Sequence, residues 1–315
     1  MISRRNIRIK VMQVLYGITT FEDNPPPAKI HELLDKQMAQ TRQLFVYLTW
    51  FLTQVLRYTE TYAFKKASKH LPTQEDLNVN TKLAGNELLW LIIEKPDFQK
   101  QVAALKPESR TDVDLIRKIH SQLIETEKYQ AYLQDTARQK KEERSIMEFI
   151  LNDLLLANPS FINHIEELYS NFDDDAESVV QLVGSLLQKP SSISFDNIID
   201  PEKEMFAEAL LKTVLEKEKH LESLIIPKLK NWDPDRIALL DMIMMKMGVA
   251  EFLYFETIPP KVTLNEYIDM AKDYSTTQSG QFVNGILDNI RKELEEEGKL
   301  QKTDFKKKNI KATKN

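Results

Sequence analysis

Seven glycines in 315 residues leave this chain few positions at which its backbone can turn left-handed without strain. No long segment alternates apolar and polar residues over β-branched side chains, whereas apolar residues recur at spacings of three and four along most of its length. A chain so poor in glycine and in period-two patterning is expected to be all-α, built from helical bundles. Between the turn-forming Asn24-Pro25-Pro26-Pro27 and residue 197, the pattern predicts helices at 28–69, 80–94, 111–135, 142–156, 161–169 and 176–188, interrupted near Pro72, Pro96, Pro107, Pro159 and Pro190. The first is long enough to bend or to be two helices. Its aromatic stretch Phe45-Val46-Tyr47-Leu48-Thr49-Trp50-Phe51-Leu52 reads as core, and Asp173-Asp174-Asp175 reads as a helix N-terminus rather than a metal site.

Several classes of chemistry lack their residues. With no cysteine there is no disulfide, thiolate metal site or cysteine nucleophile. The five histidines fall at no metal-ligand spacing, and no nucleophile–base pair or phosphate loop is visible, so neither an enzyme nor a cofactor is expected. The start MISRRNIRIKVMQVLYGI has no uninterrupted apolar core of a signal peptide, and no apolar run is long enough to span a membrane. A cytoplasmic protein without membrane partners is expected.

Charge is unevenly placed. Residues 1–20 carry four cations and no acid, and residues 298–315 carry seven lysines against Asp304, so the residues between hold a net −15 within a chain total of −5. Both ends are basic and the body is acidic, which favours local over wraparound contact with a polyanion. In the first helix, Ile7, Val11, Val14, Leu15 and Ile18 form an apolar stripe. Beside it Arg5, Arg8, Met12 and Tyr16 line up at spacings of three and four, a basic and aromatic strip suited to phosphates and unpaired bases. The tail reads as a disordered basic segment.

The C-terminal third is the most legible. Asp233-Pro234 predicts the start of a helix that is apolar on nearly every side, with Gly248 allowing close packing. Thr263 with Glu266 predicts a capping box, with Val262 and Tyr267 as its hydrophobic staple, and Ser275 with Gln278 predicts a second box. Then comes SGQFVNGILDNI, where Phe282, Val283, Ile286, Leu287 and Ile290 share one helical arc although Asn284-Gly285 is a turn-forming dipeptide. Glycine inside a helix costs about 1 kcal/mol relative to alanine. Close approach by another surface, within the chain or outside it, would explain its presence.

RRNIRIKVMQVLYGI (4–18), NWDPDRIALLDMIMMKMGVAEFLYFETIPPKVTLNEYIDMAKDYS (231–275) and SGQFVNGILDNI (279–290) together resemble the family of the transcription antitermination factor NusB. The resemblance implies two small helical bundles that bind boxA-type RNA jointly with the small-subunit ribosomal protein acting as NusE, within an antitermination complex with RNA polymerase. It divides the chain into an N-terminal basic helix (1–20), a helical insertion of unknown role (21–197), the remainder of the NusB-like domain (198–297) and the basic tail (298–315). Carried over, Arg4, Arg5, Arg8 and Lys10 would hold phosphates with Tyr16 nearby, and Lys246, Asn284 and Gly285 would face RNA. Glu251, Tyr254 and Phe282 would face the protein partner, Glu251 because a carboxylate on an apolar helix is costly to bury unpaired.

Two departures stand out: Lys246 where the family commonly has arginine, and Gln278 where it is often acidic. Two other readings remain open, a helical interaction scaffold with incidental basic ends and a stand-alone relative of the RNA-binding domain of rRNA cytosine methyltransferases. The second lacks the enzyme's cysteine and glycine-rich cofactor domain.

Overall fold

The computed structural model describes residues 2–21, 25–229 and 237–303, and every regular element among them is a helix. None of these helices is long and apolar enough to cross a membrane. The chain divides into two compact units, one from Met38–Asp200 with the first two residues, the other from Ser3–Gln37 and Pro201–Asn315. The predicted start at Asp233-Pro234 and the tail from Asp304 onward lie outside the described residues.

In the first unit, α1 (Arg4–Ile18) contributes nothing and α2 (Pro27–Ala67) contributes its larger part. α2 runs for 41 residues as a single helix, because no glycine or proline follows Pro27 within it and its middle is anchored by core residues. Leu44, Phe45, Val46, Phe51, Leu52, Val55 and Leu56 are all fully buried. Around them lie α3 (Gln74–Leu77), α4 (Glu87–Ile93), α5 (Pro96–Leu105), α6 (Val113–Ile124), α7 (Glu127–Gln134), α8 (Lys140–Phe149), α9 (Pro159–Leu168) and α10 (Phe172–Gln188). The expected helix 80–94 is half that length, since Asn86 turns the chain and caps Leu89. The expected helix 111–135 is two, because Thr126 accepts from the Tyr129 amide and restarts the helix there. α8 continues into a π-helical turn over Ile150–Leu155. Asp173, Asp174 and Asp175 occupy the first turn of α10, where carboxylates complement the helix dipole.

The second unit holds α1, the start of α2, α11 (Pro201–Glu216), α12 (Glu218–Ile225), α13 (Leu239–Tyr254), α14 (Pro260–Tyr274) and α15 (Ser279–Glu296). α13 is central, packing against α1, α11, α12, α14 and α15. The predicted capping boxes do not form. α14 starts at Pro260, whose missing N–H and fixed φ suit a first helical position; Thr263 is therefore inside the helix and fully buried, while Val262 stays exposed. α15 starts at Ser279, with Gln278 making no side-chain cap.

Gly248 permits the contact between α13 and α15. A Cβ there would come within 2.9 Å of Leu287 Cδ1 and 3.3 Å of Tyr267 Cδ2. Gly248→Val is accordingly expected to destabilise this unit by about 1–3 kcal/mol through overpacking, read as a lower urea midpoint at unchanged slope. Gly285 is different: nothing lies within 4 Å of its would-be Cβ, so no neighbour among the described residues explains it.

Candidate nucleic-acid interface

α1 presents two kinds of arginine. Its stripe Ile7, Val11, Val14, Leu15 and Ile18 is buried as predicted, and rotation about the helix axis places Arg4 and Arg5 at the rim of that contact. Arg4 Nη2 lies 2.7 Å from Glu202 of α11, and Arg5 bridges Asp273 at 2.7 Å and Asp269 at 3.5 Å on α14. Both remain about one-third exposed. Ion pairs this open to solvent contribute about 0–1 kcal/mol, so a phosphate can displace the carboxylates at small cost.

Arg8 is not at that surface. It is 2% exposed and grips the fully buried Glu251 with two hydrogen bonds, Nε to Oε1 at 2.7 Å and Nη2 to Oε2 at 3.1 Å. Thr263 and Tyr267 donate their hydroxyls to the same carboxylate at 2.9 and 2.7 Å, while the guanidinium lies over the rings of Phe206 and Tyr267. Burial opposes charge on Arg8, but the hydrogen bond and charge of Glu251 outweigh it and raise its pKa. Burial, reinforced by the Glu251 charge, holds the Tyr267 hydroxyl far above its ordinary range. The expectations that Arg8 holds phosphate and that Glu251 faces solvent or a partner are therefore corrected. Each answers the other's charge inside the bundle, which ties α1 to α13 and α14. Lys10, only 1% exposed, is likewise withdrawn from solvent. The strip running from Arg5 to Tyr16 is interrupted, because Arg8 and Met12 are buried between them.

Lys302 adds a contact that no local pattern announces. Its ammonium donates to the carbonyls of Glu251 and Phe255 at 2.8 and 2.7 Å, adding a cation at the C-terminal end of α13 to carbonyls that already accept the Phe255 and Ile258 amides. Burial lowers its pKa.

The remaining candidates are dispersed. Tyr16 is 45% exposed and Tyr254 41% exposed. Lys246 is held at 2.7 Å by both Glu218 and Glu222 of α12; burial opposes its charge, yet these carboxylates prevail and raise its pKa. Phe282, half-buried, lines a cavity of about 140 Å³ together with Asp241 and Ser279, where the Ser279 hydroxyl donates to Asp241 at 2.8 Å. Phe282 thus sits beside the first turn of α13 and Tyr254 at its last residue, roughly 20 Å apart along a helix rising about 1.5 Å per residue. Asn284 and Gly285 are exposed on α15, opposite its buried Val283, Leu287 and Ile290.

This arrangement contains two half-buried, ion-paired arginines, an exposed tyrosine and an open amide–glycine face. Among the described residues no cluster of His, Asp or Glu could hold a metal ion. The family model for NusB matches residues 166–292, which begins before residue 198 and leaves α1 outside. The transcription antitermination protein NusB of Salinibacter ruber is 37% identical over 139 residues, 44% of this chain and 82% of that protein. The protein of the same name from Chloroherpeton thalassium is 36% identical over 108 residues, 34% of this chain and 51% of that one. That of Methylacidiphilum infernorum is 41% identical over 95 residues, 30% and 66%. No solved structure matches. With 82% of the Salinibacter relative covered at 37% identity, and with α13, α14 and nearly all of α15 inside the family match, the chain belongs to the NusB family.

Proposed function

We propose that this protein is a non-catalytic, cytoplasmic transcription antitermination factor that binds boxA-type RNA together with the small-subunit ribosomal protein acting as NusE, in a complex with RNA polymerase. The observation that carries the reading is Gly285: a glycine inside a helix, exposed, with open space where a side chain would be. Gly17 and Gly184 also have open space there but are half-buried, whereas Gly285 is exposed; no packing among the described residues explains its cost to helix stability, and an external surface that comes close would account for it. Asn284 beside it supplies amide donors and acceptors, and Arg4, Arg5 and Tyr16 supply phosphate neutralisation and stacking. Tyr254 and Phe282, the two aromatic candidates left on the partner side once Glu251 is placed inside, would serve as separate anchors. On this reading α3 to α8, which lie in the other unit and before the family match, are accessory to the RNA-binding domain.

Gly285→Ala is expected to raise folding stability by up to about 1 kcal/mol and yet to weaken RNA binding. That opposition separates an approached surface from a structural one. In titrations of labelled single-stranded boxA RNA at several salt concentrations, Arg4→Ala with Arg5→Ala should flatten the slope of log K against log salt by about 0.7 for each phosphate no longer neutralised. Adding the ribosomal protein should tighten wild-type binding. Unchanged affinity in both variants would overturn the assignment of this surface.

A further inference from the structure

The unit formed by Met38–Asp200 carries a groove that the RNA reading does not use. It encloses about 330 Å³ between α4, α8 and the end of α10. Its floor is apolar, made by Leu88, Leu91, Leu187 and Pro190, of which Leu91 is 56% exposed. Lys140, Lys141 and Lys189 line its rim, all exposed. Among the described residues no carboxylate forms an ion pair with any of the three, so their charge is not cancelled locally, unlike that of Lys66, Lys69 and Lys100 in the same unit.

Two acids also line the groove without cancelling this charge. Glu143 is 1% exposed, and its carboxylate is taken up by the Tyr132 hydroxyl at 2.9 Å and the Glu87 amide at 2.7 Å. Glu87 is exposed and leaves the rim net positive. A cationic rim is anomalous in a body with a net charge of −15 between residues 21 and 297. Lys140 and Lys141 also occupy the first turn of α8, where the helix dipole disfavours cations and Gln139 makes no side-chain cap. Glu142 in the same turn offsets part of that cost.

We propose that this groove docks a short acidic-apolar peptide segment of a partner protein, with Leu, Ile or Phe side chains on the floor and Asp or Glu side chains at the lysines. Charge complementarity selects an anionic occupant. The apolar floor and the absence of any aromatic lining residue select peptide over RNA, whose unpaired bases are held by stacking. The proposal is independent of the boxA reading, because α1 and α15 belong to the other unit.

The test uses the full chain and a fluorescein-labelled twelve-residue peptide alternating Glu and Leu, followed by anisotropy. Salt-sensitive binding is expected, absent for the matching Lys–Leu peptide. It should weaken about tenfold or more in Lys141→Glu with Lys189→Glu, since reversing two rim charges turns attraction into repulsion. Leu91→Asp should weaken it as well. All three positions are exposed, and circular dichroism checks that the variants remain helical. No binding of the acidic peptide, or equal binding by wild type and variants, overturns the proposal. So does oligouridylate that displaces the peptide and is itself lost in the same variants, which would make the groove an RNA site.

Discussion

Glu251→Ala is expected to destabilise the α1–α13–α14 bundle by about 3–5 kcal/mol, the cost of leaving a buried charge without its partner. Arg8 would keep its guanidinium 2% exposed, with Glu266 at 3.5 Å as the remaining carboxylate among the described residues, and the Thr263 and Tyr267 hydroxyls would lose their acceptor. Arg8→Ala should cost a similar amount by stranding Glu251. The double replacement Arg8→Met with Glu251→Leu removes both charges and is expected to be much less damaging than the sum of the single changes, because replacing a buried pair by apolar groups is often near neutral. Chemical denaturation of wild type, Arg8→Met, Glu251→Leu and their double variant gives the coupling directly. Additive losses would show that the two side chains do not depend on each other. Any loss of RNA binding in the single variants would then be traced to the seating of α1, since neither charge reaches the surface.

Acid should weaken the other unit through one histidine. His120 is fully buried in α6, with Nε2 3.0 Å from the Thr59 hydroxyl and its ring between Tyr58 and Tyr62. Burial lowers its pKa from 6.5 to about 4. The unfolded chain therefore takes up a proton that the folded unit refuses. The neutral imidazole's contribution is fully present above pH 6.5 and is lost as pH falls towards 4. Linkage puts the loss over that window at about 3 kcal/mol. Other carboxylates with lowered pKa values add their own acid sensitivity, so the measurement is a difference: thermal midpoints from pH 7 to 4 for wild type and for His120→Gln. Parallel curves would mean that His120 titrates alike in both states.

The all-α class and the buried stripe of α1 were legible in the sequence because they rest on local periodicity: a 3.6-residue repeat places side chains on one face whatever they later meet. The same holds for the apolar arc of α15, and for Gly248, whose place on an apolar helix already announced a close contact. Helix ends were read less well. Thr263 with Glu266 and Ser275 with Gln278 have the residues of capping boxes, but Pro260 supplies a stronger local start one turn earlier, and Thr263 and Ser279 donate instead to Glu251 and Asp241 of α13. The largest departure is at Arg8 and Glu251, which are 243 positions apart. A basic residue in a strip and a carboxylate on an apolar helix each signal an unmet charge. Sequence alone determined that both charges needed an answer, and it pointed outward to phosphate and to a partner. Only the tertiary structure decided that they answer each other, because in a low-dielectric core the cost of burying one charge falls steeply once an opposite charge lies within hydrogen-bond distance, and no local pattern records which distant residue will be there.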